Sequence, residues 1–211
     1  MANETKNGIN LINKMSASTA QTAADKSLGT YYLAENPQYY EPQRSNTFTF
    51  YVSSLNGILK DWMSTTDTSE EKCLELAVKS SSVPHFNIDK ITINRGNNQM
   101  HFAGKPTFSD GQLTVHDYIG ANTKEILMAW QNLAYNVKTE KVGLAKDYKR
   151  DAYLLEYTPD YQLVRTWRLA GCWVSGITEG NYDHDSADAR TMDVTIVYDK
   201  AWIETSDRVE E

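Results

Sequence analysis

The side chains able to do chemistry are few in this 211-residue chain, and their spacing matches no catalytic or metal-binding pattern. The histidines are His85, His101, His116 and His184, and no two stand at HxH or HxxxH spacing, so none can share a metal ion through one strand face or one helical turn. Asp183-His184-Asp185 with Asp188 is the most ligand-like run. It superficially resembles a calcium loop, but it lacks the glycine and the distal glutamate such a loop needs, and it reads as an acidic surface loop. Gly171-Cys172-Trp173-Val174-Ser175-Gly176 does not reproduce the GxSxG nucleophile turn. Gly104-Lys105-Pro106-Thr107 lacks the upstream glycine of a phosphate loop, and Pro106 removes a donor that loop would use. Cys73 and Cys172 form no CxxC pattern and read as reduced, partly buried thiols. A carboxylate pair for glycoside cleavage would need a cleft that no segment suggests. Trp130, Trp167 and Trp173 would suit a sugar-stacking surface, yet Trp130 lies on an apolar helical stripe and Trp173 in an apolar run, as core residues do. The expectation is no catalytic residue, no metal and no cofactor: a chain that works through its surfaces and is not an enzyme.

The bulk properties agree. The net charge of −7 disfavours general nucleic-acid binding, whose affinity comes from Lys and Arg on phosphates. It is compatible with nucleic acid passing nearby, because like charge prevents sticking. The first residues, MANETKNGINLINKMSAST, have no apolar core of a signal peptide, and Ile126 to Trp130 is far too short to span a bilayer. A soluble chain with no membrane partner is expected.

Residues 1–44 differ from the rest. Met15 to Gly29 is Ser, Thr, Ala and Gln with few large apolar residues, so it cannot form a core of its own. Tyr31, Tyr32, Tyr39 and Tyr40 around Pro37 and Pro42 suggest an extended arm that docks on its own body or on a neighbour. The body is expected over 45–204, with an acidic tail over 205–211.

Within the body, period-two alternation predicts strands from Thr47 to Leu55, through CLELAVKSSSV (Leu74, Leu76 and Val78 inward, Glu75 and Lys79 outward), and through Gln112 to Tyr118. Ile91 to Ala103 reads as a hairpin about the turn Arg95-Gly96-Asn97-Asn98, where Gly and Asn tolerate positive φ. In ANTKEILMAWQNLAY the apolar positions Ile126, Leu127, Trp130, Leu133 and Ala134 have helical spacing, with Asn122 and Glu125 as a capping pair and Asn136 as the end. A basic connection follows from Lys138 to Arg150. Two strands, Ala152 to Thr158 and Gln162 to Ile177, flank the turn Pro159-Asp160, and Gly171 marks a bend or bulge. After a polar loop, Met192, Val194, Ile196 and Tyr198 alternate along the last strand, and Trp202 and Ile203 close the packed region. The fold class expected is mainly β: an antiparallel sandwich or barrel of two packed sheets with one helix.

The run Tyr40-Glu41-Pro42-Gln43-Arg44-Ser45-Asn46-Thr47-Phe48, the strand ending in Ser80-Ser81-Ser82-Val83-Pro84, the Arg95-Gly96 hairpin, Asp117-Tyr118-Ile119-Gly120 leading to the Trp130 helix, and the last strand Asp193 to Trp202 resemble the tail tube proteins of contractile-tailed bacteriophages. Those are related in fold to the Hcp tube protein of type VI secretion. The resemblance covers roughly Tyr39 to Glu204 and leaves the first 38 residues outside it. It implies six-membered rings stacked into a hollow tube in the virion tail. Neighbouring sheets would join into an inner barrel, DNA would pass through the lumen without specific binding, and the partners would be sheath, baseplate and tail terminator proteins. Such a protein is made in the host cytoplasm. Under it, Arg95, Gly96, Asn97 and Asn98 would reach the adjacent ring, and Tyr39 and Tyr40 of the arm would clamp a neighbour. Lys141, Lys146, Lys149 and Arg150 would meet acidic partners such as the Asp183 to Asp188 loop or the Asp207 to Glu211 tail, and Glu75 and Lys79 are the lumen-facing candidates. Rival readings are a tube-initiating baseplate protein or secretion tube subunit of the same fold, a monomeric ligand-binding β-barrel with an apolar cavity, and a carbohydrate hydrolase.

Overall fold

The computed structural model describes residues 42–56, 58, 69–185 and 187–205. The tyrosines of the arm and the tail residues 207–211 lie outside them. The chain divides into two units, Met1–Gln43 and Arg44–Glu211, and the second holds nearly all the described residues.

Along it run β1 (Phe48–Val52), α1 (Glu70–Ala77), β2 (Val78–Ser81), β3 (Phe86–Arg95), β4 (Asn98–Phe108), β5 (Gly111–His116), α2 (Thr123–Ala134), β6 (Tyr135–Asn136), β7 (Lys141–Val142), α3 (Ala145–Tyr148), β8 (Arg150–Tyr157), β9 (Leu163–Glu179), β10 (Thr191–Val197) and β11 (Lys200–Thr205). Seven strands form one bent, antiparallel sheet in the order β1-β8-β9-β10-β5-β2, with β11 added against β9. Among the described strands β3 and β4 pair only with each other, as do β6 and β7. The mainly antiparallel β architecture is the one the alternation predicts.

β9 holds the sheet's two halves together. Its first half pairs with β8 and β11, and its second half with β10. Between Ala152↔Leu169 and Arg150↔Cys172 it carries one residue more than β8, the bulge expected at Gly171, whose φ is +69°. The row Val52–Ala152–Leu169–Ala201, one residue from each of β1, β8, β9 and β11, is buried throughout. On the other half Leu113, Val115, Met192, Val194, Ile196 and Val174 face the same core. α2 supplies Ile126, Leu127 and Trp130 to it, and the Trp130 indole N–H donates to the Tyr148 carbonyl at 2.8 Å.

Four expectations are corrected. CLELAV is the helix α1, so the described residues hold more than the one helix expected. Cys73, Leu74 and Ala77 stand at helical spacing and are buried, while Leu76, expected inward, is 68% exposed. Glu70 and Glu71 lie in the first turn, where the helix dipole favours negative charge, and only Val78–Ser81 continues as strand. Asn122 precedes α2, but it sits in the left-handed region (φ 49°) with no side-chain cap bond, so the Asn122–Glu125 capping pair is not formed. α2 ends at Ala134, and the Asn136 carboxamide instead accepts from the N–H groups of Lys138 and Thr139, shaping the next turn. Trp202 and Ile203 do not complete the core: Ala201 is the buried residue of β11, and both of them are exposed.

Gly171 is a position where a side chain is poorly tolerated. An added Cβ would meet the Asp199 carboxylate and would sit at positive φ. Gly171→Ala is expected to lower the unfolding free energy by about 1–3 kcal/mol, read by urea titration; an unchanged midpoint would show that the bulge does not need glycine.

Candidate assembly surfaces

The β3–β4 hairpin is built as expected about its tip. Arg95 pairs with Asn98 across Gly96 (φ +61°) and Asn97, and the paired strands run farther than Ile91 to Ala103, from Phe86↔Phe108. Pairing places Ile91 opposite Phe102 and Ile93 opposite Met100, so four large apolar side chains share one face. Each is between 48% and 53% exposed. The opposite face carries Lys90, Thr92, Asn94, Gln99 and His101, with His101 against the Thr92 hydroxyl at 3.3 Å. A lone two-stranded hairpin has marginal stability in water, and one with an open apolar face is a surface awaiting a partner.

A second surface lies on the outer side of β1, β8, β9 and β11. Tyr51, Tyr153, Arg168 and Trp202 form one row across these strands. The Tyr51 and Tyr153 rings stack at 4.9 Å. Arg168 donates to Asp151 at 2.7 Å and to Glu204 at 3.1 Å, and its guanidinium lies 5.5 Å from the Trp202 ring centre. Burial, with Tyr153 and Glu204 adding to it, pushes the Tyr51 hydroxyl above its ordinary pKa. Sequence reasoning missed this cluster because its members lie far apart along the chain and meet only through strand register.

The basic connection folds into the β6–β7 pair and α3, and it is less available than expected. Lys149 is committed within the chain, donating to both Asp199 oxygens at 2.8 and 2.7 Å. Arg150 donates to the carbonyls of Ser54, Lys146 and Lys149. Lys141 and Lys146 are exposed. Glu75 is half-buried on α1, paired with Lys72 at 3.1 Å, and Lys79 is exposed on β2, so the strand logic that put both on one polar face does not hold. At the base of the Asp183 to Asp188 loop, Arg190 pairs with Glu179 and covers the Tyr182 ring, and Lys124 of α2 donates to Glu179 at 2.8 Å.

Cys73 and Cys172 are both free and buried, and burial pushes both thiols up, keeping them protonated and unreactive. Among the described residues no group of three or more His, Cys, Asp or Glu is placed to hold a metal ion, and no helix is long and apolar enough to cross a membrane. The apolar cleft between Phe50, Leu113, Leu154, Leu169, Ile196 and Tyr198 has a volume of about 10 Å³, room for one water and not for a ligand.

No protein-family model matches the chain. It is 27% identical over 124 residues to the tail tube protein gp19 of Enterobacteria phage T4, covering 57% of this chain and 76% of that protein. The phage T6 tail tube protein gp19 matches over the same length at the same identity. Among solved structures, a chain of the sheath-tube complex of an extracellular contractile injection system (PVC) in its extended state superposes with a TM-score of 0.58 at 17% identity, over 81% of this chain and 96% of that one. A chain of the tube-terminating cap of the anti-feeding prophage gives a TM-score of 0.56 at 17% identity, over 78% and 91%. At these identities the superpositions show that the fold is shared.

The Glu179 cluster makes a pH prediction. The hydrogen bond from Lys124, with Arg190 nearby, holds the Glu179 carboxyl below its ordinary 4.5. A carboxyl lowered by folding stabilises the fold above its unfolded pKa, and that stabilisation is lost as pH falls through the folded value. Glu179→Gln should therefore show a smaller loss of melting temperature than the parent between about pH 5 and about pH 3. An identical acid profile would show that this pair carries none of the acid sensitivity.

Proposed function

We propose that this homologue of phage tail tube proteins is a structural subunit of a contractile tail, stacking with copies of itself into a hollow inner tube. The phage gp19 relatives and the shared fold of the injection-system tube chain support the class. The finer reading is of hexameric rings, with sheath outside, baseplate and terminator at the ends, and DNA passing through. The subunit would be made in the host cytoplasm and end in the virion tail. It needs no cofactor, and its role is architectural, not catalytic.

The observation that carries the reading is the free-standing hairpin. A monomer gains nothing by holding Ile91, Ile93, Met100 and Phe102 half in water, whereas burying them against a second copy contributes apolar transfer energy at about 25 cal/mol per Å². We assign the inter-ring contact to this face, with Arg95, Gly96, Asn97 and Asn98 at its leading end. Lys141 and Lys146, both exposed, remain the cations to meet the acidic loop of a neighbour, while Lys149 and Arg150 act inside their own subunit. Tyr39 and Tyr40 of the arm are assigned to clamping an adjacent subunit.

Negative-stain electron microscopy of the purified chain at several concentrations, with and without a baseplate extract, tests the class. Rings or hollow tubes are expected, and a monomer under every condition would overturn the reading. Ile91→Ser with Phe102→Ser should raise the concentration needed for tubes by at least about tenfold, as loss of an interface anchor costs about 2 kcal/mol or more. Its melting temperature should stay at the parent value, because Ile91 and Phe102 lie outside the core. Deleting the residues before Thr47 should likewise weaken polymerisation, and unimpaired tubes from that variant would remove the arm from the interface.

A further inference from the structure

The apolar side of the β3–β4 hairpin changes along its length. Near the root, Phe86 and Ile88 lie on one side of β3, with Phe108 and Pro106 opposite them. Toward the tip, Ile91 and Ile93 lie on the other side, because successive side chains of a strand alternate. The change falls between Ile88↔Pro106 and Lys90↔Ala103, where β4 carries one residue more than β3. Gly104 stands in that step, and an added Cβ there would lie 2.7 Å from the Asp89 carbonyl oxygen. At the root, Phe108 packs against the core of its own body. Its ring centre lies 5.5 Å from that of Phe86, and it meets the Tyr198 ring edge-on at 6.2 Å. Tyr198 is buried, and its hydroxyl bonds to the His85 main chain at the entrance of β3.

The segments that enter and leave the hairpin are fastened at the same place. Ser82 donates its N–H to the Gln112 carbonyl, and its hydroxyl accepts the Gln112 N–H, both at 2.9 Å. Pro84 is buried and lines the narrow apolar cleft beside Leu113, Ile196 and Tyr198. The Ser109 N–H donates to the His85 carbonyl at 3.3 Å. No other described strand pairs with β3 or β4, so the root holds the hairpin's direction. We propose that the Phe86–Phe108–Tyr198 ladder is the joint that aims the hairpin, and that Tyr198 is a positioning residue for the inter-ring contact, a role in assembly that rests on the tube reading above. The ten residues of β3 span roughly 30 Å, so a tilt of about 10° at the root moves the tip by about 5 Å. Apolar contact requires heavy atoms to approach within about 4.5 Å, so such a tilt takes the tip face out of reach of its complement. Close-packed rings resist the tilt because a packed interior is stiff and transmits strain.

Spin labels on Asn97→Cys at the tip and on Ile119→Cys, an exposed position of the body, read the hairpin's direction in the dilute, unassembled chain. Cys73 and Cys172 are buried, so the introduced thiols take the label. The parent pair should give one narrow distance distribution. Phe108→Leu, and independently Tyr198→Leu, should shift or widen it by more than about 5 Å, the tip movement of that tilt. Phe108→Tyr, which keeps the ring, should match the parent pair. Phe108→Leu should also raise the concentration needed for tubes at least about threefold, because a loose hairpin must be ordered on contact. A Phe108→Leu distribution equal to the parent's, or a parent distribution already that broad, would overturn the joint whether or not tubes form. A shifted distribution with unimpaired tubes would overturn the positioning role. Failure of the parent chain to form any tube would overturn the tube reading instead, and the label distances would still decide the joint.

Discussion

One long strand sets the constraint on which the structure depends. β9 runs for 17 residues and serves both halves of the sheet, so its backbone must change direction without losing its pairing. The bulge at Gly171 makes that change. Asp199 sits over it: its N–H donates to the Ala170 carbonyl at 3.0 Å, and its carboxylate is held by Lys149. With that corner fixed, the row from Val52 to Ala201 shares one core with Leu113, Val194 and Val174, and α2 adds Trp130 to it. A straight β9 would separate the two halves and leave each with one wet apolar face.

The same economy explains why so little polar chemistry is left over. Arg168, Arg190, Lys124 and Lys149 each meet a carboxylate of their own chain, and Arg150 is spent on backbone carbonyls. These pairs are largely at the surface, where each contributes modestly, but together they fix strand ends and loop bases. The apolar surface is divided just as sharply. One part is the core, and another is the hairpin, whose apolar face the described residues leave about half exposed.

Legibility in the sequence followed how local the cause was. The Gly96-Asn97 turn, the Gly171 bulge and the Met192–Val194–Ile196 alternation were readable because each rests on neighbouring residues. α1 was misread because Leu74, Leu76 and Val78 satisfy a period of two, while Cys73, Leu74 and Ala77 satisfy a helix equally well over so short a span. Packing decides such a tie, and packing is not local. The expected burial of Trp202 and Ile203 failed for the same reason: their apolar character was visible, but which side of β11 faced the core was not. The Arg168 cluster exists only through register between strands distant in sequence, and no single segment announces it.

The form of the hairpin bears on the kind of assembly it can support. In a two-fold dimer a surface meets its own copy, and growth stops at two. The open face of the β3–β4 hairpin joins Ile91, Ile93, Met100 and Phe102 on a narrow ribbon that pairs with no other described strand. On the assignment proposed above, this ribbon is one half of a contact whose other half is a different surface of the next copy. Unlike halves on one molecule lead to head-to-tail association, which continues until it closes as a ring or extends as a filament. Stacked rings combine both outcomes: closure within a layer and extension between layers. The projection of apolar surface away from the core is therefore a cost in the isolated chain, one that the inter-ring contact proposed above would recover.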